Sequence, residues 1–334
     1  MNKSDFDVTA SSKHLCRHLL DGKQTAPHQT LFDNDVFETA CRDLQGRNEA
    51  KVIQDISRLI VPSAQTLAAF GAKHLKCSIE SVNEGWNNSI PLTGTRPQPD
   101  YAVGFRREAF TQDQLDKISP ILGDWISGDQ SYFMATYYML FPFLTNEVKC
   151  GVQALDIADR QNAHSMTLAV RAIVELFRLV GRESEVDREI LAFSISHDNC
   201  SVRIYGHYPA IDGKDTKYYR HPIRKFDITE LDGKEKWTAY HFTKNVYDLW
   251  MPGHLNRIRS AINQLPSGVD LDVPSISEGT GLSQPLEGHH LDTEPASEPK
   301  ETQPTHAERQ VVTPDSSFAV PGSKRQKNKK QGTK

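Results

Sequence analysis

Residues 156 to 180, DIADRQNAHSMTLAVRAIVELFRLV, constrain the fold more than any other stretch of the chain. Met166, Val170, Ile173, Phe177 and Val180 recur at spacings of three and four, which predicts a helix with an apolar stripe along its whole length and so a broad surface to bury it against. Gly181 supplies a stop at its C-terminal end. Strand-like runs lie on both sides of it. FPFLTNEVKC, residues 141 to 150, precedes it, and REILAFSIS and SVRIYGHYPAI follow, joined through the turn residues His197, Asp198 and Asn199. Strand, long helix, strand implies a sheet with a helix laid across one face.

The flanking segments extend that sheet and cover it. LKCSIESV, residues 75 to 82, and DYAVGFRREAF, residues 100 to 110, read as strands, and Pro91, Gly94, Pro97 and Pro99 exclude regular structure between them. Upstream, Val36, Phe37, Cys41 and Leu44, then Val52, Ile53, Ile56, Leu59 and Ile60, recur at helical spacing. TQDQLDKISPILGDWISG predicts a helical excursion with Thr111 as its N-cap, and Pro142 predicts a break, with a helix or irregular approach before a short strand at about 143 to 150. YYRHPIRKFDI is expected as an edge strand that tolerates Pro222, and KWTAYHFTKNVYDLW with HLNRIRSAINQL as closing helices. The expected fold class is α/β, in its mixed α+β form, with a central mixed sheet flanked by helices.

Three parts follow from composition. Residues 1 to 30 are polar and read as a flexible N-terminal segment with a possible short helix at SSKHLCRHLLDGK, residues 31 to 265 as the folded domain, and residues 266 to 334, rich in Pro, Ser, Glu, Gly and Thr, as a disordered tail. That tail is acidic in its middle and basic at its end, PGSKRQKNKK, which reads as a nuclear localisation signal for an import receptor. The formal charge of -4 gives no global attraction to nucleic acid or anionic lipid, so a polyanionic partner has to meet a local patch. Five scattered cysteines form no CxxC pair or framework, and the N-terminus lacks an apolar leader core, so a soluble, intracellular chain in a reducing compartment and without membrane association is expected. Walker, Rossmann and kinase motifs are absent from the sequence.

The chemistry concentrates at Glu147 and Lys149. In a strand these two side chains share one face, with Thr145, while Leu144 and Val148 face the other layer. A neighbouring strand that begins at Asp100 can bring a second carboxylate to Glu147, and two carboxylates with a main-chain carbonyl are the oxygen donors Mg²⁺ or Mn²⁺ takes. A lysine beside such an ion orients or helps deprotonate water, or stabilises charge on a phosphoryl oxygen. The elements Pro99–Asp100 and Glu147–Val148–Lys149 resemble the PD and (D/E)XK motifs of the PD-(D/E)XK nuclease superfamily. More closely, PQPDYAVGF, FPFLTNEVKCG, IADRQNAHSMTLAVRAIVELFRLV, ILAFSISHD, VRIYGHYP and KWTAYHFTKNVYDLW resemble an uncharacterised fungal domain family assigned to that superfamily, over roughly residues 75 to 275.

The resemblance implies a restriction-endonuclease-like core and metal-dependent hydrolysis of nucleic acid, with DNA as the expected polymer and the nucleus as the expected location. It implies Asp100 and Glu147 as metal ligands, Val148 as the donor of a coordinating carbonyl, and Lys149 as the residue that assists the nucleophile. A further acid is implied upstream, for which Glu38, Glu49 and Glu80 all qualify, and a polar residue on the following helix, for which Gln161 is taken, with His164 and Arg160 beside it. The rival reading is a nuclease-fold module without turnover that binds nucleic acid or protein. Arg203, His207, Arg220, His221, Arg224 and Lys225 form the basic cluster best suited to a phosphate backbone.

Overall fold

A computed structural model describes residues 7–122, 130–151 and 154–266. The chain opens with α1 (Ala10–Asp21), α2 (Phe37–Leu44), α3 (Glu49–Ile60) and α4 (Ala64–Ala69). Strands β1 (Ser78–Ser81) and β2 (Tyr101–Phe105) follow, then α5 (Gln112–Leu122), β3 (Met134–Thr136) and β4 (Met139–Val148). The long helix α6 (Ala154–Leu179) leads to β5 (Ala192–His197), β6 (Ser201–Asp212) and β7 (Asp215–Asp227). A short α7 (Glu230–Gly233), then α8 (Thr238–Asn245), a π-helical turn at Val246–Trp250 and α9 (Met251–Asn263) close the domain.

The strands form one seven-stranded sheet of order β1-β2-β4-β5-β6-β7, with β3 paired to β4 off that path. Only β4 and β5 run parallel, because α6 is the crossover between them; the remaining pairs are antiparallel. The protein is thus a mixed α/β fold around a mostly antiparallel sheet. Every residue of β2, β4 and β5 is buried, so both faces of the sheet's centre are covered by helices. Among the described residues no helix is long and apolar enough to cross a membrane.

Two expectations need correcting. Pro142 does not break the strand. It lies inside the ten-residue β4, at a place where the ladder with β2 jumps from Val103↔Leu144 to Phe105↔Leu140 and Phe141 takes φ +44°. A bulge needs no ladder donor from the proline, so the strand continues through it. The stretch before it is a strand and hairpin arm, β3, rather than a helix. Residues 1 to 30 are not uniformly a flexible lead-in either. In α1, Cys16 and Leu19 are buried, and Glu189 accepts hydrogen bonds from Thr9, Ser11 and Ser12 at 2.8 to 2.9 Å. The Asn245 amide donates to Leu19 O and Gly22 O and ties the other end of α1 to the core. The acidic and basic tail, with its import-signal reading, and the end of the helical excursion beyond Leu122 lie outside the described residues.

Candidate active site

The registers place the two motif elements side by side. Tyr101 is opposite Asn146 in the antiparallel β2–β4 ladder, which sets Asp100, just before β2, against Glu147. Cross-strand partners face the same side. Asp100 is fixed there by the facing strand: its Oδ2 accepts the N–H of Val148, the last residue of β4, at 2.7 Å. Lys149 continues past the strand end, donates its N–H to His197 O, and reaches Glu49 Oε1 at 2.9 Å with its ammonium. Glu49 is the first residue of α3, whose N-cap Asn48 accepts the Lys51 N–H. The cap starts the helix at the residue that meets the lysine.

Two buried networks hold this end of the sheet rigid. On one face Thr145 Oγ1 donates to Asn162 Oδ1 at 2.6 Å, and the Asn162 amide donates to Ile195 O and Ser196 Oγ, each at 2.9 Å. On the other, Asn146 Nδ2 donates to Ser57 Oγ at 3.1 Å, and Ser57 meets His197 Nε2 at 3.3 Å. His197 Nδ1 lies 2.9 Å from Asp198 O and so carries the proton, leaving Nε2 to accept from Ser57. Burial holds His197 down at about 4, so the ring is neutral. These contacts pin β4 to α6 through Thr145 and to α3 through Asn146, the two residues that precede Glu147.

Glu147 itself is left alone. It is 2% exposed, and among the described residues its carboxylate has no hydrogen-bond or ion-pair partner. Burial, and then the Asp100 carboxylate, push it up to about 8 against the pull of Lys149. Burial also raises Asp100, with the Val148 N–H and Lys149 working against it. Burial opposes the charge on Lys149, but the hydrogen bond to Glu49 and the carboxylates of Asp100 and Glu147 outweigh it and lift the amine above its ordinary value. Lys149 is therefore an ammonium, suited to donate hydrogen bonds and offset negative charge rather than to remove a proton.

A buried carboxyl without a hydrogen-bond partner, beside a second one, either keeps its proton or shares a cation with its neighbour. The donor set, Asp100 and Glu147 with the main chain of Val148, fits a hard divalent cation that keeps several waters. Among the described residues no group of three or more His, Cys, Asp and Glu side chains could hold a metal ion, and Glu49 is engaged by Lys149.

Of the three upstream acids, Glu49 is the one at the site. Glu38 pairs with Arg42 along α2, and Glu80 accepts from Ser63 and from the Tyr101 hydroxyl, where it braces the start of α4. Gln161 is exposed. Asp159, two residues earlier, reaches Arg203 and Tyr205 of β6, so helical spacing puts Gln161 on the flank of α6 away from β6. His164 is half-buried and held below its ordinary value by burial and by Arg171. His197 ends β5, and Asp198 turns the chain into β6 by accepting the Cys200 and Ser201 N–H groups at Oδ1; burial, and then the Asp198 carboxylate, push the Cys200 thiol up to about 12, so it is no thiolate nucleophile. Sequence reasoning missed Asn162, Ser57 and Asp159. A polar residue at a buried phase of an apolar stripe, as Asn162 is, was the available signal.

A family model described as a domain of unknown function, DUF7924, matches residues 36–262. The chain belongs to the DUF7924 family. The DUF7924 match opens just before α2 and closes in the last turn of α9, so Glu49, Asp100, Glu147, Lys149 and Gln161 all fall inside it and α1 falls outside. No curated protein and no solved structure matches the chain.

Proposed function

We propose that this DUF7924 domain is a metal-dependent nuclease with a PD-(D/E)XK-like site on a restriction-endonuclease-like core. The single observation that carries the reading is the almost fully buried Glu147, without a hydrogen-bond partner among the described residues, set against Asp100 on the adjacent strand end and followed by a charged Lys149. Asp100, Glu147 and the Val148 carbonyl are the groups that would hold Mg²⁺ or Mn²⁺. A bound divalent cation supplies polarisation of the scissile phosphate and a water of lowered pKa.

The remaining tasks fall to side chains. Lys149 orients the attacking water or the phosphoryl oxygens with its N–H donors, and Glu49 fixes the amine's position at 2.9 Å. Gln161, on the exposed flank of α6, orients substrate or solvent. The Thr145–Asn162 and Asn146–Ser57–His197 networks keep β4 from shifting under the substrate. DNA is the proposed polymer, and the basic end of the tail is proposed as the import signal that would bring the domain to the nucleus.

The test is cleavage of mixed DNA and RNA substrates in Mg²⁺, Mn²⁺ or EDTA by the wild type, Lys149→Ala and Glu147→Ala. Metal-dependent cleavage lost in both variants supports the reading; equal cleavage by all three proteins overturns it. The rival is a binding module without turnover. Salt-sensitive binding without cleavage in any metal would select that rival.

A further inference from the structure

The row that starts at Asp100 continues across the sheet. Glu147 is the register partner of Ser196, Ser196 of Arg203, and Arg203 of Lys225. These positions face one side, the side of α6, as the contacts of Arg203 with Asp156 and Asp159 at 2.6 and 2.8 Å show. Ser196 is buried beneath α6, where its Oγ accepts from the Asn162 amide, so the row passes under the helix and emerges at Arg203 and Lys225.

The structure sorts the basic cluster. His207 is buried against Ser194, Arg220 stacks on Tyr205 beside Asp159, and Arg224 pairs with Glu235 at 3.3 Å. Lys225 and, on α6, Arg160 are exposed, and among the described residues the side chain of neither makes a hydrogen bond or ion pair, although both stand near enough to the Asp156 carboxylate to lower its pKa. Lys225 stands three strands from Glu147, or about 14 Å, which is roughly four nucleotides of rise along one strand of a duplex. A small phosphate ester held at the acids does not span that distance. A chain of phosphates does.

We propose that Arg160 and Lys225 contact the backbone of a nucleic acid several nucleotides away from the phosphate held at Asp100 and Glu147. The placement of that phosphate rests on the nuclease reading. The test measures binding of fluorescein-labelled 20-nucleotide duplex DNA and single-stranded RNA to the wild type and to Arg160→Gln/Lys225→Gln in EDTA across a salt series. Metal-dependent turnover of bis(4-nitrophenyl) phosphate, too small to reach the cations, is measured alongside.

Losing two phosphate contacts lowers the slope of log affinity against log salt by about 1.8 for duplex DNA or about 1.4 for a single strand, and the arm that shows the change names the polymer. Turnover of the small ester by the double variant stays at the wild-type level. An unchanged salt slope in the variant, or no binding of either polymer by the wild type, overturns the backbone contact. A reduced slope with no cleavage of any substrate by the wild type supports the contact and overturns the catalytic reading instead.

Discussion

Lys149 and Glu49, 100 residues apart in sequence, meet at 2.9 Å where the end of β4 passes the first turn of α3. The pair is partly exposed, so its worth to stability is small, about 0 to 1 kcal/mol. Its effect belongs in the chemistry. Glu49→Gln should lower kcat for nucleic-acid cleavage about tenfold, and Lys149→Ala about a hundredfold or more, as expected for loss of a charge-stabilising donor. The double variant should be no worse than Lys149→Ala alone, because the glutamate acts through the amine. Additive losses in steady-state kinetics would show that Glu49 has a separate task.

Glu147 makes the apo protein less stable as pH rises. Its carboxyl is raised from 4.5 to about 8 in the fold, so the folded state keeps a proton that the unfolded chain releases. The stability this proton confers is complete below about pH 4.5 and is lost as pH rises through 8. Glu147→Gln removes the dependence. In EDTA, urea midpoints of the wild type should fall between pH 5 and 8 relative to the variant, by an amount on the order of a few kcal/mol in stability. Parallel curves would mean that Glu147 ionises without penalty.

Acid acts on different groups. Burial lowers His197 to about 4 and His207 and His254 to about 3. Their folded values lie below the unfolded 6.5, so the stability they contribute is present above that pH and is lost as pH falls towards 4 and 3. His254 stacks on Trp250 with centroids 4.3 Å apart, and its Nε2 has no partner. His254→Phe should therefore be close to neutral at pH 8 and raise the melting temperature at pH 4. A variant as acid-labile as the wild type would remove His254 from the explanation.

Asp159 is the hub under the β6–β7 ribbon, 3% exposed and in contact with Arg203, Tyr205 and Arg220. Asp159→Ala strips two guanidinium groups of a buried counter-charge and should cost about 3 kcal/mol. Asp159→Asn, which still accepts the Tyr205 hydroxyl, should cost less. Thermal melts of the two variants check the order.

The long helix, the strands around it and the motif pair were legible because each is a local pattern: a period, a turn, a spacing of two. That Gln161 stands on a solvent-facing position of that helix could be read from its spacing to the stripe. The choice of Glu49 over Glu38 and Glu80 could not, since all three sit on amphipathic or alternating segments and only the packing of α3 against β4 separates them. The Pro142 bulge escaped for a related reason. A proline within a strand is tolerated or not according to which ladder bonds its partner strand asks for, and that is a property of register. Of the aromatic run before Glu147, Phe133, Phe141 and Phe143 fill the core with Phe105, while Tyr138 stays exposed.

Between its paired residues Val103 and Phe105, β2 spends Gly104 alone, whereas β4 spends Phe141, Pro142 and Phe143. A side chain at position 104 would run into Leu140 O at 2.9 Å and the Pro142 Cα at 3.0 Å, so the glycine is what lets the surplus fit. The surplus is two residues, an even number, and evenness preserves the alternation of faces. Lineages that gain or lose a single residue in this loop of strand would turn the acid inside out, while changes in pairs would only slide it. The spacing tolerated here by descendants of this sequence should thus come in steps of two.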